Sequence, residues 1–149
     1  MKRYFLILAL AFVPLATWAQ STVKNDTVFI AITDDNVFSK CFSNCDLNGD
    51  RLVSYAEAAQ TTTLYMDYGG RKNIISDYSF LKYFPNLTQL SIGNTPNESV
   101  DLSGNPKLEL LDLRGGLWIT EVTIAVGCNP KIYFPIHEQT VSFKRVQTR

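Results

Sequence analysis

An α/β fold is expected here, arranged as a short stack of three to four strands behind an N-terminal helical cap. Three observations point to it. The run Phe84-Pro85-Asn86-Leu87-Thr88-Gln89-Leu90-Ser91-Ile92 aligns with Asn105-Pro106-Lys107-Leu108-Glu109-Leu110-Leu111-Asp112-Leu113, and a fainter copy starts at Asn129-Pro130-Lys131-Ile132. The prolines of the three copies lie 21 and 24 residues apart, a period that marks stacked supersecondary units. Ahead of the copies, Val37, Phe38, Cys41, Phe42 and Cys45 recur at helical spacing and predict one short amphipathic helix.

Taken in chain order, residues 1–19 have the three-part layout of a cleavable secretory signal. Lys2 and Arg3 are followed by the apolar run 4–13, then Pro14 and small residues around Ala19. That apolar run is too short to cross roughly 30 Å of hydrocarbon, and no transmembrane segment is expected. Cleavage after Ala19 would leave 130 of the 149 residues, room for one core. No cysteine follows the expected cut, so lipid attachment has no acceptor there. The remaining 12 basic and 14 acidic residues carry a net charge of −2 without a basic stripe, which argues against a nucleic-acid partner. The expected location is outside the cytoplasm, whether periplasmic, cell-surface or secreted.

Residues 20–33 read as a polar leader plus the strand-like Val28-Phe29-Ile30-Ala31-Ile32, and residues 34–62 as the helical cap. Asp34 and Asp35 suit the start of the cap helix, where carboxylates meet unpaired N–H groups. Within the cap, Asp46-Leu47-Asn48-Gly49-Asp50-Arg51-Leu52-Val53-Ser54-Tyr55-Ala56-Glu57 resembles an EF-hand, dockerin-like calcium loop. A hard cation needs six to eight oxygens converging on one point, and alternate residues of a tight loop supply them. Asp46, Asn48, Asp50, Ser54 and Glu57 are the candidate ligands, with calcium the implied ion. Ser54 and Glu57 also predict a capping box for the exit helix. Arg51 stands where such loops carry glycine, because the turn favours positive φ. The alternative is a well-hydrogen-bonded turn that needs no metal.

Residues 63–149 hold the repeats and a terminal strand-like segment, Thr140-Val141-Ser142-Phe143-Lys144, expected to close the open end of the stack. The spacing L-x-x-L-x-L at a period of 20 to 29 is that of leucine-rich repeats. Val100-Asp101-Leu102-Ser103-Gly104-Asn105-Pro106-Lys107-Leu108 resembles the return segment of secreted Bacteroidetes-type leucine-rich-repeat proteins, in which such repeats follow an acidic D-x-N-x-D loop. The resemblance covers about residues 34–135 and implies a short curved solenoid of about three to four strands. An earlier, degenerate unit supplies Leu64-Tyr65-Met66, and strands are expected near 64–66, 90–92, 111–113 and 132–134. Alternation sends Leu64, Leu90, Ile92, Leu111 and Leu113 inward. Tyr65, Ser91 and Asp112, with Gln89 and Leu110, then form the concave face, the candidate surface for a protein or glycan. Trp118 is expected in the core, with a place on the concave face as the alternative.

Catalysis has little to stand on. His137 is the sole histidine, and Cys128 in Gly127-Cys128-Asn129 has no histidine beside it. No metal-ligand spacing joins the cysteines to His137. The expected function is non-catalytic recognition through the concave face; the alternative is a calcium-stabilised structural or assembly domain. Three cysteines allow one disulfide at most. Cys41 and Cys45 lie four apart on a helix, so a bridge would join Cys128 to one of them, and otherwise all three are small buried side chains.

Overall fold

The computed structural model describes residues 27–28, 41–66, 75–93, 95–135 and 140–147. Parallel strands in two sheets dominate these residues, helix is scarce, and neither sheet closes into a barrel. The order is β1 (Thr27–Val28), β2 (Val53–Ser54), α1 (Tyr55–Gln60), β3 (Thr63–Met66), a 3-10 turn (Ser79–Tyr83), β4 (Gln89–Ile92), β5 (Ser99–Leu102), β6 (Leu110–Asp112), β7 (Glu121–Ala125), β8 (Lys131–Tyr133) and β9 (Ser142–Val146). A first sheet runs β3-β4-β6-β8 and a second runs β5-β7-β9, all parallel; β1 and β2 form a separate antiparallel pair. No helix among the described residues is long and apolar enough to cross a membrane.

Strands alternate between the sheets from β4 onward, so each unit contributes one strand to each. The segments expected as loose returns are therefore strands. The reason is a second period-two pattern: Val100 and Leu102 are buried while Ser99 and Asp101 are exposed, and Val122 and Ile124 are buried beside the exposed Glu121. The terminal segment is a strand: as β9 it pairs with β7, Val122 opposite Phe143, and stands last in the second sheet.

Register is set by the inward rows. Leu64, Leu90, Leu111 and Ile132 lie side by side, and Met66 stands beside Ile92. Leu64, Leu90, Ile92, Leu111 and Leu113 are all essentially fully buried, as alternation requires. Each such side chain contributes roughly 1.5–3 kcal/mol by leaving water. The first-sheet strands from β4 onward recur every 21 residues, at Gln89, Leu110 and Lys131. Pro130 is thus not the counterpart of Pro106: β8 starts at the residue after Pro130, whereas β6 starts four residues after Pro106.

Buried side chains tie successive turns together. Asn105, fully buried, donates from Nδ2 to the carbonyls of Leu81 (2.8 Å) and Phe84 (2.9 Å). One unit later the Cys128 thiol lies 3.9 Å from the carbonyl of Asn105 and 3.4 Å from that of Leu108. An amide and then a thiol thus reach inward carbonyls of the preceding unit, adding to the turn bonds that Leu81, Phe84 and Asn105 already accept from the N–H groups of Phe84, Leu87 and Leu108. Hydroxyls do so at the strand starts: Thr88 Oγ1 donates to the Thr62 carbonyl, Thr120 Oγ1 to that of Glu98 and Ser142 Oγ to that of Thr120. Gly104 sits where turns touch, since a Cβ there would come 2.8 Å from the Lys82 Cα.

Of the two cysteine readings, three small buried side chains is the one found: all three are free thiols, Cys128 lies against the carbonyls of its own end of the stack, and Cys41 and Cys45 belong to the cap. One further expectation is overturned. Trp118 is 62% exposed, not core. Its neighbour Ile119 is the fully buried residue of that turn, and Gly115-Gly116 widen it so that Leu117 and Trp118 stand outside. The expected cap helix lies mostly outside the described residues. Its end appears as a turn in which Phe42 accepts from the N–H groups of Cys45 and Asp46.

Candidate functional site

The 46–57 loop is built from its own side chains. The Asp46 carboxylate accepts from the N–H groups of Gly49 (2.8 Å) and Arg51 (2.9 Å), Asn48 Oδ1 from Asp50 N (2.8 Å), and Asp50 Oδ1 from Leu52 N (2.8 Å). These bonds bend the chain through two left-handed residues, Gly49 at φ 76° and Arg51 at φ 65°. Glycine meets that demand freely; Arg51, with a Cβ, costs about 1–2 kcal/mol there. Position six therefore keeps the backbone that glycine would supply.

Glu57 closes the loop. Its buried carboxylate accepts from Leu47 N (2.9 Å) and Asn48 N (3.2 Å) on one oxygen, and from Ser54 N and Ser54 Oγ (both 2.8 Å) on the other. The Ser54 hydroxyl in turn accepts from Glu57 N, so the expected capping box starts α1. The β1–β2 pair, Thr27 opposite Ser54, holds the loop from outside. Asp46 and Asp50 are held at the loop tip by these N–H bonds, and Glu57 and Ser54 at its base. Among the described residues, no three or more His, Cys, Asp or Glu side chains group as a metal site.

The outward positions of the first sheet form two rows. Tyr65, Ser91, Asp112 and Tyr133 make one, and Thr63, Gln89, Leu110 and Lys131 the other. All five residues expected on this face fall in these rows, though only Tyr65 and Gln89 are exposed and Leu110 is half-buried. Ser91 and Asp112 are sunk between their neighbours, at 7% and 9% exposure. Tyr65 is 58% exposed, with its hydroxyl 3.4 Å from Gln89 Oε1. At the far end, Arg114 grips Asp112 with two nitrogens, Nε lying 3.0 Å from both carboxylate oxygens. The Arg114 guanidinium lies 5.2 Å from the Tyr133 ring centroid and the Lys131 ammonium 5.0 Å. Arg114, Lys131 and Tyr133 were not anticipated. The 21-residue register carries Asp112 to Tyr133 and Leu110 to Lys131, and the D-x-R spacing was the signal for Arg114.

An open groove of about 410 Å³ adjoins Tyr65. It is lined by Asn44, Gln60 at the end of α1, Thr61 and Thr62 between α1 and β3, Thr63 at the start of β3, and the buried Cys41.

Burial pushes the Cys45 thiol up, and Glu57 adds to this, while a Thr61 hydrogen bond opposes it. Burial also raises Cys128 against the opposing Leu108 bond and Arg145 charge. Raised thiols stay protonated near neutrality and are poor nucleophiles. His137 lies outside the described residues. Asn86, in one of three N-x-[ST] tripeptides, spends its amide on the Ala59 carbonyl and the Lys107 ammonium.

Two carboxylates tie stability to pH. Burial pushes Glu57 up, but the bonds from Ser54, Leu47 and Asn48 together outweigh it and hold the carboxyl below its ordinary value. The Arg114 hydrogen bonds hold Asp112 low against burial. A depressed folded pKa gives stability that is present above the unfolded value, about 4.3 for Glu and 3.9 for Asp, and is lost as pH falls through the folded one. The melting temperature is therefore expected to hold between about pH 7 and 5 and to fall below about pH 4.5. Glu57→Gln, measured by thermal melts across that range, should melt lower at neutral pH and lose less on acidification. A parallel decline in both proteins would remove Glu57 as a source.

Compared with known proteins, the chain matches no family model, no curated protein and no solved structure.

Proposed function

We propose that this chain is an exported, non-catalytic recognition module. In this reading it is a short leucine-rich-repeat-like solenoid that binds a protein or glycan through the outward face of its first sheet. The observation that carries it is the Tyr65-Ser91-Asp112-Tyr133 row. Two tyrosines stand about 14 Å apart across three strand spacings of ~4.8 Å, with short or sunken side chains between them. Arg114 locks Asp112 in place before any ligand arrives, and rigid aromatic and arginine groups lose little entropy on binding. The repeat reading is supported by the 21-residue recurrence and the Asn105 and Cys128 turn bonds.

The test is a combined peptide and glycan array, probed with the chain and with Arg114→Ala and Tyr133→Ala. Both variants are expected to lose at least about tenfold in signal on the bound ligand while melting within a few degrees of the parent. Equal binding by the variants would move the function off this face.

A second reading, a calcium-stabilised structural domain, is favoured by the loop backbone. Its left-handed residues and the turns closed by Asp46, Asn48 and Asp50 supply the alternation that a cation loop needs. Asp46, Asn48, Asp50, Ser54 and Glu57 would hold the ion, which would brace the cap against β3. The readings are compatible, since one concerns the face and the other the cap.

A further inference from the structure

We propose that the groove between the cap and β3 is a binding subsite for a neutral, hydroxyl-rich saccharide, with the Tyr65 ring as its stacking platform. The inference rests on the recognition reading above and names the ligand class for the β3 end of the same face.

Four observations carry it. The groove's volume, about 410 Å³, falls within the ~300–1,000 Å³ of small-ligand clefts. Among the described residues no charged side chain lines it, so these residues offer an ionic ligand no counter-charge. The lining has unspent hydrogen-bonding capacity. Thr61 Oγ1 and Gln60 Nε2 donate to backbone carbonyls, but the side chains of Asn44, Thr62 and Thr63 make no hydrogen bond among the described residues, and the Gln60 carbonyl oxygen is likewise unused. Lastly, Tyr65 is 58% exposed on the outer strand of the first sheet, with its hydroxyl only 3.4 Å from a weak partner, Gln89 Oε1.

A pyranose matches that combination. Its ring presents an apolar C–H face that packs on an aromatic ring, and its edge carries hydroxyls that both donate and accept. Threonine hydroxyls and asparagine or glutamine amides reciprocate in both directions, whereas an apolar peptide side chain would leave them unpaired and desolvated. The Tyr65–Gln89 contact leads from the groove onto the exposed row, giving a second sugar unit a path along the sheet.

The experiment is a titration of the full chain with maltotriose, cellotriose, xylotriose and triacetylchitotriose, and with trigalacturonate as the acidic control, read by calorimetry and by amide NMR shifts. At least one neutral trisaccharide is expected to bind saturably and shift the amides of residues 61–65, with the acidic one weaker. Tyr65→Ala should weaken binding at least about tenfold, Thr63→Val several-fold, and Tyr65→Phe should keep most of it. Tyr65 is exposed, so these variants fold. No saturable shift by any neutral trisaccharide up to about 10 mM, or binding indifferent to Tyr65→Ala, overturns the proposal. If array binding still depends on Arg114 and Tyr133 in that case, the recognition reading survives without the sugar subsite. If it does not, both fall.

Discussion

In about 1 mM calcium the chain is expected to melt roughly 5–10 °C higher than in chelator, and Asp46→Ala is expected to abolish the difference. A ligand that binds only the folded state stabilises it by RT ln(1 + [L]/Kd), which is about 1.4–2.7 kcal/mol when the ion stands at 10 to 100 times its Kd. For a chain of this length each kcal/mol moves the midpoint by about 3–5 °C. Asp46 is the sensitive position because its carboxylate already organises the loop, accepting from Gly49 and Arg51. Some stability is therefore lost in chelator too, and the diagnostic quantity is the calcium-dependent part alone. Equal melting in calcium and chelator would leave the loop as a capped turn. Its hydrogen bonds to Glu57 would then be its whole contribution.

Asn105→Ala is expected to cost about 1–3 kcal/mol, measured by denaturant unfolding. The Nδ2 group donates to two buried carbonyls, those of Leu81 and Phe84; both keep a turn N–H, from Phe84 and Leu87, so the loss is that of two hydrogen bonds at about 0.5–1.5 kcal/mol each. The loss is partly offset because Asn105 Oδ1 is itself buried without a donor among the described residues, so its removal relieves an existing penalty. Cys128→Ala should cost less, since a thiol donates weakly. Trp118→Ala, at an exposed position, should change stability by no more than about 0.5 kcal/mol. A cost below about 1 kcal/mol for Asn105→Ala would mean that these bonds contribute little to holding adjacent turns together.

These sites differ in how far they could be read from the residues. The capping box was legible because Ser54 and Glu57 interact within three residues, and the loop turns because each oxygen meets an N–H two to five residues away. The inward leucines were legible because alternation is local to a strand. Trp118 was misplaced because burial in a wide turn is a competition between neighbours, and Ile119 occupies the interior that Trp118 would need. The choice between a cysteine bridge and three buried thiols was not legible either: a disulfide requires two particular Cβ atoms to approach, and chain spacing does not supply that distance.

Sequence alone determined the parallel α/β architecture, the position of the first-sheet strands, the residues of the cap loop and the outward placement of Tyr65, Gln89, Ser91 and Asp112. All of these depend on periods of two, on turn chemistry or on a 21-residue recurrence, which are properties of neighbouring residues. Tertiary structure decided the second sheet, the meeting of Lys131 and Tyr133 with the Arg114–Asp112 pair, the exposure of Trp118 and the groove beside Tyr65. Trp118 lost the interior to its own neighbour Ile119; the others arise where successive units are brought within a strand spacing. The register of stacking, not the local pattern, sets which side chains meet there.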